Sequence, residues 1–218
     1  MEKPFWLERW QKDEIGFHQA DVNRYLKKYW KQVATNFPQA NVFVPLCGKS
    51  LDMLWLKKQG HRVTGIELSQ KAVQDFFSEN ALDHDITQQA QLTVYSTDQL
   101  NLLCGDFFEI NNQLLANHHL VYDRASLVAL PEPMRKSYAE HLSQVLPEKA
   151  SILQVIMTYP QHEMTGPPFS VSEAELRSLY ADKFNIEKLA EYDIFRENPR
   201  FQDKGMTQLI ESVFIMSR

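Results

Sequence analysis

An α/β fold, a doubly wound and mostly parallel sheet with helices on both faces, is predicted by three observations. The segment "NVFVPLCGKSLDM" (residues 41–53) reads as a buried strand, a short turn and a helix start. A second buried strand, "HRVTGIEL", ends in an acidic residue, Glu67, nineteen positions after Gly48. Helical and β-rich stretches then keep alternating along the chain, the order that builds a parallel sheet from βα units.

Each element follows from its own pattern. Trp6 and Trp10 in "FWLERW" stand four apart, as two residues on one apolar helix face do. In "DVNRYLKKYWKQV", Val22, Tyr25, Leu26, Tyr29, Trp30 and Val33 recur at helical spacing, so an amphipathic helix precedes the first strand. The run Val42-Phe43-Val44 has no polar alternation and fits a strand buried on both faces. After the turn Pro45-Leu46-Cys47-Gly48, a helix N-capped by Ser50 is expected to present Leu51, Leu54 and Trp55 on one face and to stop at Gly60. Then come a short insertion, a strand near Leu100 to Cys104, a strand around Leu120 to Tyr122 and a helix from about Pro133 to Val145. The β run "ASILQVIMTY" leads into a Pro- and Gly-rich loop, "PQHEMTGPPF", placed to cover a ligand. A helix starting at Ser170 or Ser172 and two final strands, in "NIEKLAEYDIF" and "TQLIESVFIM", complete the chain, which shows no repeat, low-complexity tract or linker.

Composition bounds the function. A chain of 218 residues with 44% hydrophobic content suits one domain, 1–218, with a sizeable core. The formal charge of −5 disfavours a broad basic surface for nucleic acid or anionic membrane, and so favours a small-molecule substrate. With no signal peptide, no apolar run near the ~20 residues of a membrane span and only Cys47 and Cys104, a cytoplasmic, monomeric protein is expected.

The Gly-Lys-Ser of the first turn does not make a phosphate cradle. A P-loop requires another glycine five positions before the Gly-Lys, and that position is Phe43. In a doubly wound sheet the first turn instead approaches a nucleoside-like ligand, and a carboxylate at the end of the second strand receives its ribose hydroxyls, the part assigned to Glu67. Dinucleotides need G-x-G-x-x-G for the pyrophosphate, whereas this turn offers only Gly48. S-adenosylmethionine carries no phosphate, so the turn favours it over NAD. Leu46 to Gly48, Glu67, Asp106 with Phe107, and Arg124 all fall at the carboxyl ends of strands and are expected to face one crevice.

The motifs "FWLERW", "GFHQ", "VPLCGKSLDMLWL", "GHRVTGIELS" and "YDRASLVAL", in this order and spacing, resemble the thiopurine S-methyltransferase family, closely its bacterial members, over nearly the whole chain. "PLCGKS" stands where other methyltransferases carry G-x-G-x-G. The resemblance implies a class I methyltransferase fold with a seven-stranded sheet whose last strand is antiparallel, and an N-terminal helical cover of about residues 1–36. It implies methyl transfer from S-adenosylmethionine to the sulfur of aromatic and heterocyclic thiols, thiopurines included, and in bacterial members also to selenium or tellurium species. By position it puts cofactor contacts on Trp10, Leu46, Glu67 and Arg124, folds the segment from Trp6 to Phe17 over the cofactor, and sets Asp106 and Phe107 beside the adenine. It also places a substrate-side arginine at Arg200.

Chemistry supports several of these assignments. A sulfonium cation is attracted to aromatic faces such as that of Trp10 by roughly 0.5 to 2 kcal/mol. The nucleophile is best as a thiolate, which a nearby cation, Arg124 or Arg200, favours. Two other classes fit parts of the pattern: an NAD-dependent oxidoreductase and a catalytically silent S-adenosylmethionine-binding module. No metal is expected, since His118-His119 and "LDHD" lack further ligands at metal spacing. Cys47 reads as a packing residue rather than a nucleophile. His18 has no assigned part.

Overall fold

The computed structural model describes residues 3–218. Helix α1 (Lys3–Gln11) is followed by a loop and by α2 (Arg24–Val33), which Asn23 caps by accepting the Tyr25 and Leu26 amides. Strand β1 (Val42–Val44), α3 (Asp52–Lys58), β2 (Val63–Glu67) and α4 (Gln70–Glu79) form the first two units. Next come β3 (Asp85–Gln89), β4 (Leu92–Thr97), β5 (Leu100–Cys104), the short α5 (Asn112–Leu115), β6 (Leu120–Asp123), α6 (Ser126–Ala129) and α7 (Glu132–Val145). The chain ends with β7 (Ser151–Thr158), α8 (Glu173–Tyr180), β8 (Asn185–Asp193), α9 (Pro199–Gln202) and β9 (Ile210–Ser217).

All nine strands join one sheet in the order β3-β4-β5-β2-β1-β6-β7-β9-β8. The five from β5 to β7 are parallel, and β9 runs antiparallel between β7 and β8. The seven strands from β5 to β8 thus have the expected arrangement, final strand antiparallel. The insertion before the expected third strand adds two more as an antiparallel hairpin, β3–β4, on the edge. Its outer strand, "DITQQ", is exposed throughout, so it carries no apolar alternation that sequence could reveal.

Side-chain alternation along the strands divides the core into two layers. Val42, Val44, Leu120 and Tyr122 face α2, α3 and α4, in one cluster with Tyr25, Leu26, Trp30, Met53 and Phe76. Phe43, Ile66, Leu103 and Val121 face the opposite side, with Tyr138, Leu142 and Leu176 from α7 and α8. The α3 face differs from the expectation. Met53 and Leu56 are fully buried, while Leu51, Leu54 and Trp55 are only partly so. Helix α3 starts at Asp52, and the Ser50 hydroxyl accepts the Asp52 amide at 3.2 Å rather than capping deeper in the helix. That start turns Asp52 itself inward. Gly60, at φ +93°, ends the helix as expected, and Ser172 rather than Ser170 caps α8.

The Pro- and Gly-rich loop after β7 is pinned. The Tyr159 hydroxyl donates to the Pro168 carbonyl at 2.6 Å and Gln161 Oε1 accepts the Ser170 amide at 2.9 Å. No helix of the described residues is long and apolar enough to cross a membrane.

Candidate functional site

The carboxyl ends of β1, β2, β5 and β6 converge where the strand order reverses between β1 and β6, the place at which open α/β sheets take ligands. The turn after β1 is bent by two left-handed residues, Leu46 at φ +43° and Gly48 at φ +52°. A leucine in that region is strained by about 1 to 3 kcal/mol and persists only where its surroundings fix it. Here the Cys47 amide donates to the Ile66 carbonyl at 2.9 Å, and the Gly48 amide donates to Glu67 Oε2 at 2.9 Å. Glu67 Oε1 accepts the Ser69 amide at 2.7 Å, so one carboxylate ties the first turn to the second. Burial raises the Glu67 carboxyl from 4.5 to about 7, against the pull of these amides.

Gly48 matters for a second reason: a Cβ there would stand 3.2 Å from the Trp10 ring. Trp10 is 2% exposed and packs edge-on against Phe17 at 5.4 Å, which in turn packs against Trp6 at 5.5 Å. These aromatics from α1 and the loop after it lie over the strand ends. Lys3 on α1 pairs with Asp106, and Lys71 on α4 pairs with Asp13 at 3.1 Å. Asp106 also caps a short 3-10 turn by accepting the Phe108 amide at 3.2 Å.

Beneath α1 lies a cavity of about 90 Å³, walled by Trp6, Leu46, Ile66, Asp106, Phe107 and Tyr138, with Leu130 and Met134 behind them. Phe107 and Tyr138 have ring centroids 4.7 Å apart. The indole Nε1 of Trp6 is buried with no hydrogen-bond partner. A mostly apolar slot with aromatic walls and the Asp106 carboxylate at its edge suits the base of a nucleoside, and Glu67 stands at the adjoining strand end where a ribose would follow. Each oxygen of the Glu67 carboxylate keeps a lone pair after its bond to a backbone amide. The residues present therefore fit S-adenosylmethionine.

Trp6, Trp10, Phe17, Leu46, Gly48, Glu67, Asp106 and Phe107 form one connected group. Arg124 lies on the α3 side of the crevice, its Nη1 3.9 Å from Asp52 Oδ2. Arg200 is set apart: it is exposed, donates to the Gly16 carbonyl and lies over the Phe201 ring at 4.7 Å. It lines no wall of the cavity. Sequence reasoning passed over Met134 and Tyr138, which α7 brings in from far along the chain and whose helical spacing reads as ordinary core, and Leu130, which ends α6. It also passed over Asp52 and Lys49, the latter buried and paired with Glu79 at 2.6 Å.

The remaining candidates are structural. Burial keeps the Cys47 thiol well above its usual range, and its sulfur fills the space a Cβ on Gly65 would need. His118 bonds the Thr64 hydroxyl at 2.9 Å and is held down to about 4 by burial, while His119 bonds the Lys149 carbonyl at 2.6 Å. Among the described residues no three His, Cys, Asp or Glu side chains gather to hold a metal ion. A larger hollow of about 580 Å³, lined by Arg177, Lys183, Phe184 and Arg218, opens at the start of β8. Asn185 pairs with Ser217, and Ser217 with Ser151 at the start of β7, so this hollow lies at the opposite end of the sheet from the crevice.

The profile of the thiopurine S-methyltransferase family matches residues 1–218. A thiopurine S-methyltransferase of Nitrosospira multiformis is 48% identical over 216 residues, covering 99% of this chain and 98% of its own. One from a Shewanella species is 45% identical, with both chains covered completely. Among solved structures, magnesium protoporphyrin IX methyltransferase of Synechocystis, with bound S-adenosylhomocysteine, superposes with a TM-score of 0.65 at 14% identity over 100% of both chains.

Proposed function

The chain belongs to the thiopurine S-methyltransferase family, and from that premise we propose that it moves the methyl group of S-adenosylmethionine to the sulfur of aromatic and heterocyclic thiols, thiopurines among them. The observation that carries this reading is the slot between Leu46 and Phe107, closed by Trp6 with its unpartnered Nε1 and adjoining Glu67. The cofactor supplies an electrophilic methyl group on a sulfonium. Everything else falls to the chain's own side chains.

Trp6, Phe107, Leu46 and Tyr138 hold the base, Glu67 receives the ribose hydroxyls, and Gly48 lets Trp10 and the backbone come close. Phe17 and the loop beside it exclude water from above. Arg124 and Arg200 favour the anionic form of the acceptor, so no strong protein base is required. With the thiolate held in line with the methyl group, positioning supplies up to ~7 to 11 kcal/mol in ideal cases. Selenium and tellurium nucleophiles, softer and larger than sulfur, extend the same reading. Two free cysteines and a charge of −5 are consistent with a reduced cytoplasm and a small-molecule partner rather than nucleic acid.

The test is transfer of a labelled methyl group from S-adenosylmethionine to an aromatic thiol. Label appearing in the thioether supports the reading; tight cofactor binding without transfer to any thiol offered would replace it with a silent binding module.

A further inference from the structure

We propose that Asp52 is a positioning residue for methyl transfer, holding Arg124 toward the crevice and coupling it to the start of α2. The carboxylate is 2% exposed and serves two masters. Its Oδ1 accepts the backbone amide of Asn23 at 2.7 Å, and its Oδ2 faces Arg124 Nη1 at 3.9 Å. Asn23 in turn caps α2, accepting Tyr25 N at 2.9 Å and Leu26 N at 3.3 Å. One side chain thus links α3, the arginine after β6 and the helix that follows the covering loop. These meet at the switch point between β1 and β6.

The charge is what needs explaining. An amide oxygen would receive the Asn23 amide as well as a carboxylate does, and a buried unpaired carboxylate is costly. Besides its place in the first turn of α3 and beside the Tyr122 hydroxyl, the negative charge acts on Arg124. At 3.9 Å the contact is electrostatic orientation rather than a formed hydrogen bond, so the guanidinium keeps its donors for a ligand. Arg124 is itself only 18% exposed and has no other acidic partner within 4 Å among the described residues. Among the described residues Asp52 is thus the one acidic group placed to set the direction of its fork.

This inference rests on the proposed function, in which Arg124 faces the reacting partners. The experiment is a double-mutant cycle of Asp52→Asn and Arg124→Lys, read as kcat/KM for an aromatic thiol, with the affinity for S-adenosylhomocysteine and the melting temperature of each variant. Asp52→Asn is expected to lower kcat/KM about tenfold in the parent and less than about twofold in the Arg124→Lys background, because contacting residues couple and distant ones add. A kcat/KM unchanged by Asp52→Asn, or lowered equally in both backgrounds, makes Asp52 a support for the Asn23 cap of α2 and nothing more. Should Asp52→Asn not fold, Asp52→Glu, which keeps the charge, takes its place: loss of activity that Arg124→Lys does not absorb overturns the proposal. If the parent moves no methyl group to thiols, the proposed function fails by itself, and the same cycle read through S-adenosylhomocysteine affinity decides the Asp52–Arg124 coupling.

Discussion

The turn after β1 and the loop after β8 both carry residues expected to serve the reaction, and they are held in opposite ways. The first is fixed from below: Gly48 and Ser69 amides converge on a buried Glu67, Cys47 is bonded to Ile66, and the Trp10 ring closes over Gly48. The second packs over a small buried cluster of Ile194, Phe201, Met206 and Leu209 with Tyr159, and its polar ties are exposed. Arg200 reaches Gly16, and Arg24 on α2 pairs with Glu197 at 2.7 Å. Buried polar contacts of the first kind are strong because nothing else can satisfy the groups, whereas exposed ion pairs contribute about 0 to 1 kcal/mol each. The difference lies in the polar ties alone, and it makes a division of labour testable: a cofactor seat around Glu67 and an acceptor side at Arg200.

The comparison can be broken most forcefully at Trp10. Trp10→Ala empties a buried site against Gly48 and Phe17, and a loss of about 3 to 5 kcal/mol is expected where a large aromatic leaves the core. Chemical denaturation measures it. A loss below 1 kcal/mol would mean that α1 is not integral to the seat. Next in size, Glu67→Ala leaves two backbone amides unsatisfied and removes the ribose partner, so cofactor binding should weaken by about 1.5 to 3 kcal/mol, roughly ten- to a hundredfold. An unchanged affinity in a folded variant would return Glu67 to a purely structural part.

The pH dependence sharpens the same point. Because burial raises the Glu67 carboxyl from 4.5 to about 7, the folded chain binds its proton more tightly than the unfolded chain does. The stability this contributes is full below pH 4.5 and is lost as pH rises through 7, on the order of 3 kcal/mol in all. Glu67→Gln should abolish that part of the decline. Ribose hydroxyls donating to the carboxylate favour its charged form, so cofactor binding near pH 6 should release a proton. Calorimetry in buffers of different ionisation heat detects that release, and proton uptake instead would count against the assignment.

The smallest effect is expected at the other region. Arg200→Ala should leave stability within about 0.5 kcal/mol, as exposed substitutions do, while lowering kcat/KM for an anionic acceptor. Arg200→Lys separates charge from geometry: it stays near the parent if charge alone matters and falls to the level of alanine if the planar fork matters.

What the sequence disclosed follows the same division. The Gly48 to Glu67 spacing was legible because strand, turn and helix lengths fix it locally, and the structure joins those two residues directly. Leu46, Asp106 and Phe107 were legible as strand-end residues for the same reason. The cavity wall from α7 was not, since Tyr138 and Met134 reach Phe107 and Trp6 only through the packing of distant segments. Nor was Asp52, whose inward turn depends on where α3 starts, a matter of one or two residues. Of the β3–β4 hairpin, β3 stayed hidden because a strand exposed on both faces leaves no pattern to read, whereas β4, with Leu92, Val94 and Tyr95 buried, carries an apolar pattern that the reading as an insertion passed over.

The division of labour is tested most directly by measuring S-adenosylhomocysteine affinity and acceptor kcat/KM side by side for Glu67→Ala and Arg200→Ala. The expected result is a crossed one: Glu67→Ala weakens cofactor binding about ten- to a hundredfold, and Arg200→Ala lowers kcat/KM for the thiol while cofactor affinity stays within about twofold of the parent. If Arg200→Ala weakens cofactor binding as much as Glu67→Ala does, the two regions form one seat and the account is wrong.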